Sequence, residues 1–103
     1  MIYEMRTYTL RPRTLPEVLK RFGEAYEKRK RFSPLFAFWY TEIGPLNQIV
    51  HIWAFPSMDE RSRRRKAMAE DPGWRTYLER GAQFLQVMEN SFLLPAPFWQ
   101  PAA

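Results

Sequence analysis

The sequence predicts an α+β domain with the ferredoxin-like order β-α-β-β-α-β, an antiparallel four-stranded sheet with helices on one face. Three observations carry this. Residues 2–10 and about 84–93 alternate in character as half-buried strands do. Thr14-Leu15-Pro16-Glu17 and Ser57-Met58-Asp59-Glu60 are capping-box signatures that open helical stretches. Between them, Phe38 to Phe55 reads as a hairpin turning at Gly44-Pro45. At 103 residues the chain is expected to form one domain, 1–103, large enough to bury roughly two-thirds of its unfolded surface without disulfides or metals.

The elements follow in order. In Ile2–Leu10, Tyr3, Met5, Thr7 and Thr9 fall on one face, and Glu4, Arg6 and Tyr8 on the other. Pro12 ends this strand. Thr14 is placed to cap the first helix, Glu17 to complete the box, and Pro16 lacks only an N–H that a first turn leaves free. Apolar residues at 15, 18, 19, 22, 25 and 26 then form a helical stripe, Lys28 to Arg31 complement the dipole, and Ser33-Pro34 stops the helix. In the hairpin, Trp39, Thr41, His51 and Trp53 share one parity within their strands, which predicts that each pair projects from one face. Ser57 starts a second helix through about Glu70. Asp71-Pro72 breaks it, and Pro72 opens another helical segment through about Gly81. The stretch from Ala82 to Val87 is compatible with more helix or with the start of the last strand. Pro95, Pro97 and Pro101 make the tail extended.

Composition narrows the function classes. Cysteine is absent, so there is no disulfide framework, thiolate nucleophile or cysteine metal site, which fits a cytoplasmic location. No apolar run approaches the ~20 residues of a membrane span, and no signal-peptide pattern opens the chain. Four glycines occur, none in a phosphate-binding arrangement, and no zinc motif or nucleophile elbow is present, so no cofactor or metal is expected. The run Arg61-Ser-Arg-Arg-Arg-Lys66 sits within a helix, where 100° steps spread its charge around the circumference. Asp59 and Glu60 stand four residues before Arg63 and Arg64, ready to pair with them. A solvated helix rather than a nucleic-acid grip is the expectation, with Arg61 or Arg65 laying its stem on the sheet and pairing with a carboxylate.

The candidate site is the sheet face that the helices are expected to leave open. Val50 and Ile52, with the odd residues of the first strand, are assigned to the helix side. His51, the only histidine, is the candidate for acid–base chemistry, its ordinary pKa near 6.5 suiting proton transfer; the alternative is a hydrogen-bonded structural histidine. Arg6 is the candidate anion clamp and Tyr8 the donor beside it. Glu4 completes a row that can equally be an interstrand ion-pair network. Trp39, Thr41 and Trp53 would supply a flat wall for a hydrophobic or aromatic ligand, or plain dimer core. Aromatic side chains make up 17% of the chain, more than one small domain readily covers, so a homodimer packed sheet to sheet is expected.

The chain also resembles the NIPSNAP family. The resemblance lies in Tyr3-Glu4-x-Arg6-Thr7-Tyr8, Trp39-x-Thr41 with Gly44, and Val50-His51-x-Trp53. It continues in Asp71-Pro72-x-Trp74, Met88-Glu89-Asn90 with Leu93-Leu94, and Phe98-Trp99. It implies a dimeric α+β barrel, in which two ferredoxin-like sheets close around shared cavities. It adds Asn90 to the candidate ligand-binding residues, by its parity and its place in the motif. The wider superfamily includes cofactor-free monooxygenases and cyclases, so a cofactor-independent enzyme is one functional expectation and a non-enzymatic interaction module the other.

Overall fold

The computed structural model describes residues 1–101. Strand β1 (Ile2–Leu10) is followed by helix α1 (Leu15–Arg29), β2 (Leu35–Tyr40), β3 (Gln48–Phe55), α2 (Met58–Ala69), α3 (Pro72–Gly81) and β4 (Leu85–Leu93). A single 3₁₀ turn, Ala82–Phe84, resolves the ambiguity before β4: the helix stops at Gly81 and the strand starts at Leu85. All strand pairs are antiparallel, in the order β2-β3-β1-β4, and the helices cover one face. This is the ferredoxin-like fold. Among the described residues no helix is long and apolar enough to cross a membrane.

Local chemistry accounts for the element ends. Ser57 caps α2 by accepting from the Glu60 N–H, and Asp71 caps α3 by accepting from the Trp74 N–H. Thr14 does not cap α1. Its backbone is already helical and its hydroxyl donates to the Arg11 carbonyl, closing the turn in which Arg13 takes a positive φ. Ser57→Ala is therefore expected to cost about 1 kcal/mol in urea unfolding and Thr14→Ala less than half as much.

The facing of the sheet differs from expectation. Leu10, Val18 and Ile49 form a buried cluster between sheet and α1, joined by Tyr8, Leu15, Leu19, Phe38, Phe84 and Leu85. The even residues of β1 therefore face the helices together with Ile49, His51 and Trp53, while Tyr3, Met5, Thr7, Val50 and Ile52 turn to the open face. Trp39 pairs with Val50 in the register and Phe38 with His51, so Trp39 lies on the opposite face from His51. Thr41 lies beyond the end of β2, where its N–H donates to the Gln48 carbonyl at 3.0 Å.

The physical reason lies in α1 and α2. Their inner faces carry Arg29, Arg61 and Arg65, and these meet the sheet face that holds the buried Glu4 carboxylate. The structure places Glu4 beneath α2, with Arg61 Nη2 donating to its Oε2 at 2.6 Å. On the outer side of α2, Arg63 and Arg64 both pair with Glu60, whereas Asp59 forms no ion pair among the described residues.

Candidate functional site

A cavity of about 210 Å³ lies between the helix-covered sheet face and the helices. Strands β1 and β3 supply Arg6, Tyr8, Ile49, His51 and Trp53 to its wall. Helices α1 and α2 supply Phe22, Arg29, Arg65 and Met68, and α3 with the segment after it supplies Trp74, Tyr77, Leu78, Phe84 and Leu85. The register orders this wall. Tyr8 stands opposite Ile49, Arg6 opposite His51, and Glu4 opposite Trp53, so one end is aliphatic and the other carries the charges.

Glu4 is fully buried and organises the charged end. Its Oε2 accepts from Arg6 Nη1 at 3.2 Å, Arg61 Nη2 at 2.6 Å and Asn90 Nδ2 at 2.7 Å. Burial pushes its carboxyl up, but the hydrogen bonds from Arg61 and Asn90 and the charges of Arg6 and Arg61 outweigh that and hold it below the usual range. Asn90 thus reaches Glu4 rather than the cavity wall. Arg6 also donates from Nε to the Tyr8 hydroxyl at 2.6 Å, which leaves the phenol proton free to donate elsewhere.

His51 is 4% exposed, stacked on Phe38 with ring centroids 5.1 Å apart and edge-on to Tyr8 at 4.9 Å. Trp53 Nε1 donates to His51 Nδ1 at 2.7 Å. An indole N–H can only donate, so Nδ1 holds a lone pair and the ring proton of the neutral imidazole sits on Nε2. Nε2 is buried without a protein partner. Burial, then the charges of Arg6 and Arg29, depress the imidazole to about 3. At neutral pH His51 is therefore a neutral N–H donor whose lone pair is engaged, which is the opposite of a poised base.

Arg29 is the residue that sequence reasoning missed. It is 3% exposed, its guanidinium carbon 3.7 Å from the Trp53 ring centroid, and it donates to Ser33 Oγ. Among the described residues it has no carboxylate partner. Burial and the neighbouring Arg65 and Arg6 lower it to about 10. Its position continues the stripe of 18, 22 and 25, a signal obscured by its neighbours Lys28, Lys30 and Arg31, which read as a dipole-complementing cluster. Phe22 lies on the apolar stripe expected for α1, whereas Trp74 and Tyr77 were placed in the wall only by tertiary packing. Of the expected site residues, the cavity wall gathers His51, Arg6, Tyr8 and Trp53, with Glu4 and Asn90 supporting Arg6 from behind. Trp39 and Thr41 lie away from it. Among the described residues no group of three or more His, Asp or Glu side chains is positioned to hold a metal ion.

The NIPSNAP family model matches residues 3–100. The chain belongs to the NIPSNAP family. It is 32% identical to the NipSnap homolog of Dictyostelium discoideum, over 91% of this chain and 42% of that protein. It is 33% identical to the NipSnap protein of Drosophila melanogaster, over 94% of this chain and 36% of that one. This NIPSNAP chain thus spans less than half the length of both relatives. Solved structures agree closely. A NIPSNAP family protein from Agrobacterium tumefaciens is 36% identical with a TM-score of 0.91, covering 99% of this chain and 94% of that one. A NIPSNAP domain protein from Burkholderia xenovorans is 32% identical with a TM-score of 0.92, covering 97% and 99%. An antibiotic biosynthesis monooxygenase shares the fold with a TM-score of 0.68 at 15% identity, covering 94% and 100%. At that distance the NIPSNAP chain shares its architecture and nothing more specific.

Proposed function

We propose that this NIPSNAP chain is a homodimeric binder of a small, largely hydrophobic or aromatic molecule, held between its sheet and its helices. The observation that carries the reading is the void beside His51, walled by Arg6 and Tyr8 on one side and by Phe22, Tyr77 and Leu85 on the other. A pure interaction module would have no use for an unfilled space among buried polar groups, each costly without a partner. The ligand's body would lie against the aromatic wall and its polar end against Arg6, Tyr8 and His51. Binding should quench or shift the fluorescence of Trp53 and Trp74. Native mass spectrometry of the purified protein is expected to show a small co-purified mass. Leu78→Trp, a substitution at a half-exposed position of the wall, should remove that mass. If the mass survives Leu78→Trp unchanged, the cavity is not where it binds.

The homodimer is the second part of the proposal, and the open sheet face supports it. Trp39 is 58% exposed there and Val87 48%, beside Met5, Val50 and Ile52. Leaving that face wet costs roughly 25 cal/mol per Å² of apolar surface. Light scattering is expected to return twice the chain mass at micromolar concentration. Trp39→Glu should weaken association by at least about 2 kcal/mol, roughly thirtyfold. A monomeric parent chain would overturn this part and leave the cavity reading intact.

A further inference from the structure

We infer that the cavity is built for an organic acid, a small carboxylate with an apolar body, whose head is received by Arg29 and Arg65 together with the His51 Nε2–H. The inference rests on the cavity reading and specifies its ligand. Four arginines reach the wall, Arg6, Arg21, Arg29 and Arg65, and no acidic side chain does. Glu4, behind the wall, gives Oε2 to Arg6, Arg61 and Asn90, and its buried, unpartnered Oε1 forms no ion pair with Arg29 or Arg65. Arg21 is occupied otherwise, donating to the Tyr77 carbonyl at 3.2 Å and lying over the Tyr77 ring. Arg29 and Arg65 therefore have no counter-ion among the described residues, and Arg29 is almost wholly buried.

A buried, unpaired guanidinium is among the most costly groups a fold can retain, and a ligand carboxylate would offset that cost. Arg29 is also preorganised for it. Trp53 stacks under its plane and Ser33 holds one edge, so the remaining N–H groups need no reordering to meet a planar anion. Burial lowers both guanidiniums first; Arg65 and Arg6 then lower Arg29, and Arg6 and Arg61 lower Arg65, the sign expected of like charges awaiting an opposite one. His51 and Tyr8 add neutral donors: the Nε2–H is unpartnered, and the Tyr8 hydroxyl accepts from Arg6 and keeps its own proton. The opposite end of the wall, at Ile49, Phe84 and Leu85, is apolar and suits the body. At about 210 Å³ the space lies below the ~300 Å³ of drug-sized pockets, so the acid is small.

The test uses the full chain and two matched series, short alkanoates and phenylalkanoates with their primary amides, titrated by tryptophan fluorescence and calorimetry. At least one carboxylate should bind about tenfold or more tighter than its amide, a difference that salt reduces. Arg29→Met and Arg65→Met should each weaken carboxylate binding about tenfold or more and so bring each acid to the affinity of its amide. Arg65 is only half-buried, so its variant stands in if the Arg29 variant fails to fold. His51 is the single histidine, so its Nε2–H resonance is unambiguous and should move when the carboxylate binds. Amides binding as well as their acids would overturn the organic-acid inference and leave the cavity reading standing. A preference that survives Arg65→Met, or a His51 resonance unmoved by bound acid, would also overturn it. Binding of neither series at millimolar concentration would overturn both readings.

Discussion

Glu4→Gln is expected to destabilise the chain by about 3–5 kcal/mol, enough to threaten folding of so small a domain. The carboxylate is fully buried, and a single oxygen accepts from Arg6, Arg61 and Asn90. Glutamine keeps the shape and one acceptor but removes the only negative charge in that cluster. Two guanidiniums would then share the interior with Arg29 and Arg65 and no counter-charge. Removing one partner of a buried pair costs more than removing both, because the survivor remains desolvated. The double variant Glu4→Leu with Arg61→Met should therefore recover much of the loss. Urea unfolding at fixed protein concentration checks both, with the midpoint falling and the slope unchanged for the single variant. A Glu4→Gln protein as stable as the parent would show that the cluster is held by packing rather than by charge.

The second large effect is on acid stability. His51 titrates near 6.5 in the unfolded chain and at about 3 in the folded one. The unfolded state therefore takes up the proton first. The stability that a neutral His51 contributes is complete above about pH 6.5 and is lost as pH falls toward 3. Between pH 6.5 and 4.5 the loss should run at up to about 1.4 kcal/mol per pH unit, about 2.5 kcal/mol over the interval. Glu4 adds its own loss only lower, because its folded carboxyl is held below its ordinary 4.5. Its window opens near pH 4.5 and so overlaps that of His51 only below the interval from 6.5 to 4.5. His51→Asn keeps an acceptor for the Trp53 N–H but cannot take a proton. It should be less stable at pH 7 and yet show a flat response between pH 6.5 and 4.5. Equal slopes in the two proteins would mean that His51 is not the group responsible.

The first turn of α2 was fully legible in the sequence, since a Ser at the cap and its bond to the N–H three residues on are local events. So was Asp71-Pro72-x-Trp74, where Pro sets the backbone and Asp meets the orphan donor. Thr14 carried an equal signal and failed because the preceding residues form a turn that captures its hydroxyl. Arg61 was anticipated from the poverty of apolar residues on the inner side of α2, and the structure supplies its carboxylate, Glu4. Arg29 went unread because a lysine- and arginine-rich helix end looks the same whether one of its members points inward or all point out.

By itself, then, the sequence determined the order of elements, the hairpin, the helix starts and the family, all of which depend on neighbours within a few residues or on motifs spread along the chain. It grouped Glu4 with Arg6 and Tyr8, and His51 with Trp53, because alternation along a strand is a property of the strand alone. Which of the two sheet faces the helices cover was decided by tertiary structure. Both faces carry aromatic and aliphatic groups, so parity could not rank them. The arginines of α1 and α2 decide it, since buried guanidiniums need Glu4 and aromatic rings beneath them, and only the even face of β1 offers both. That choice turned His51 and Trp53 away from Trp39 and enclosed them in a cavity within one chain.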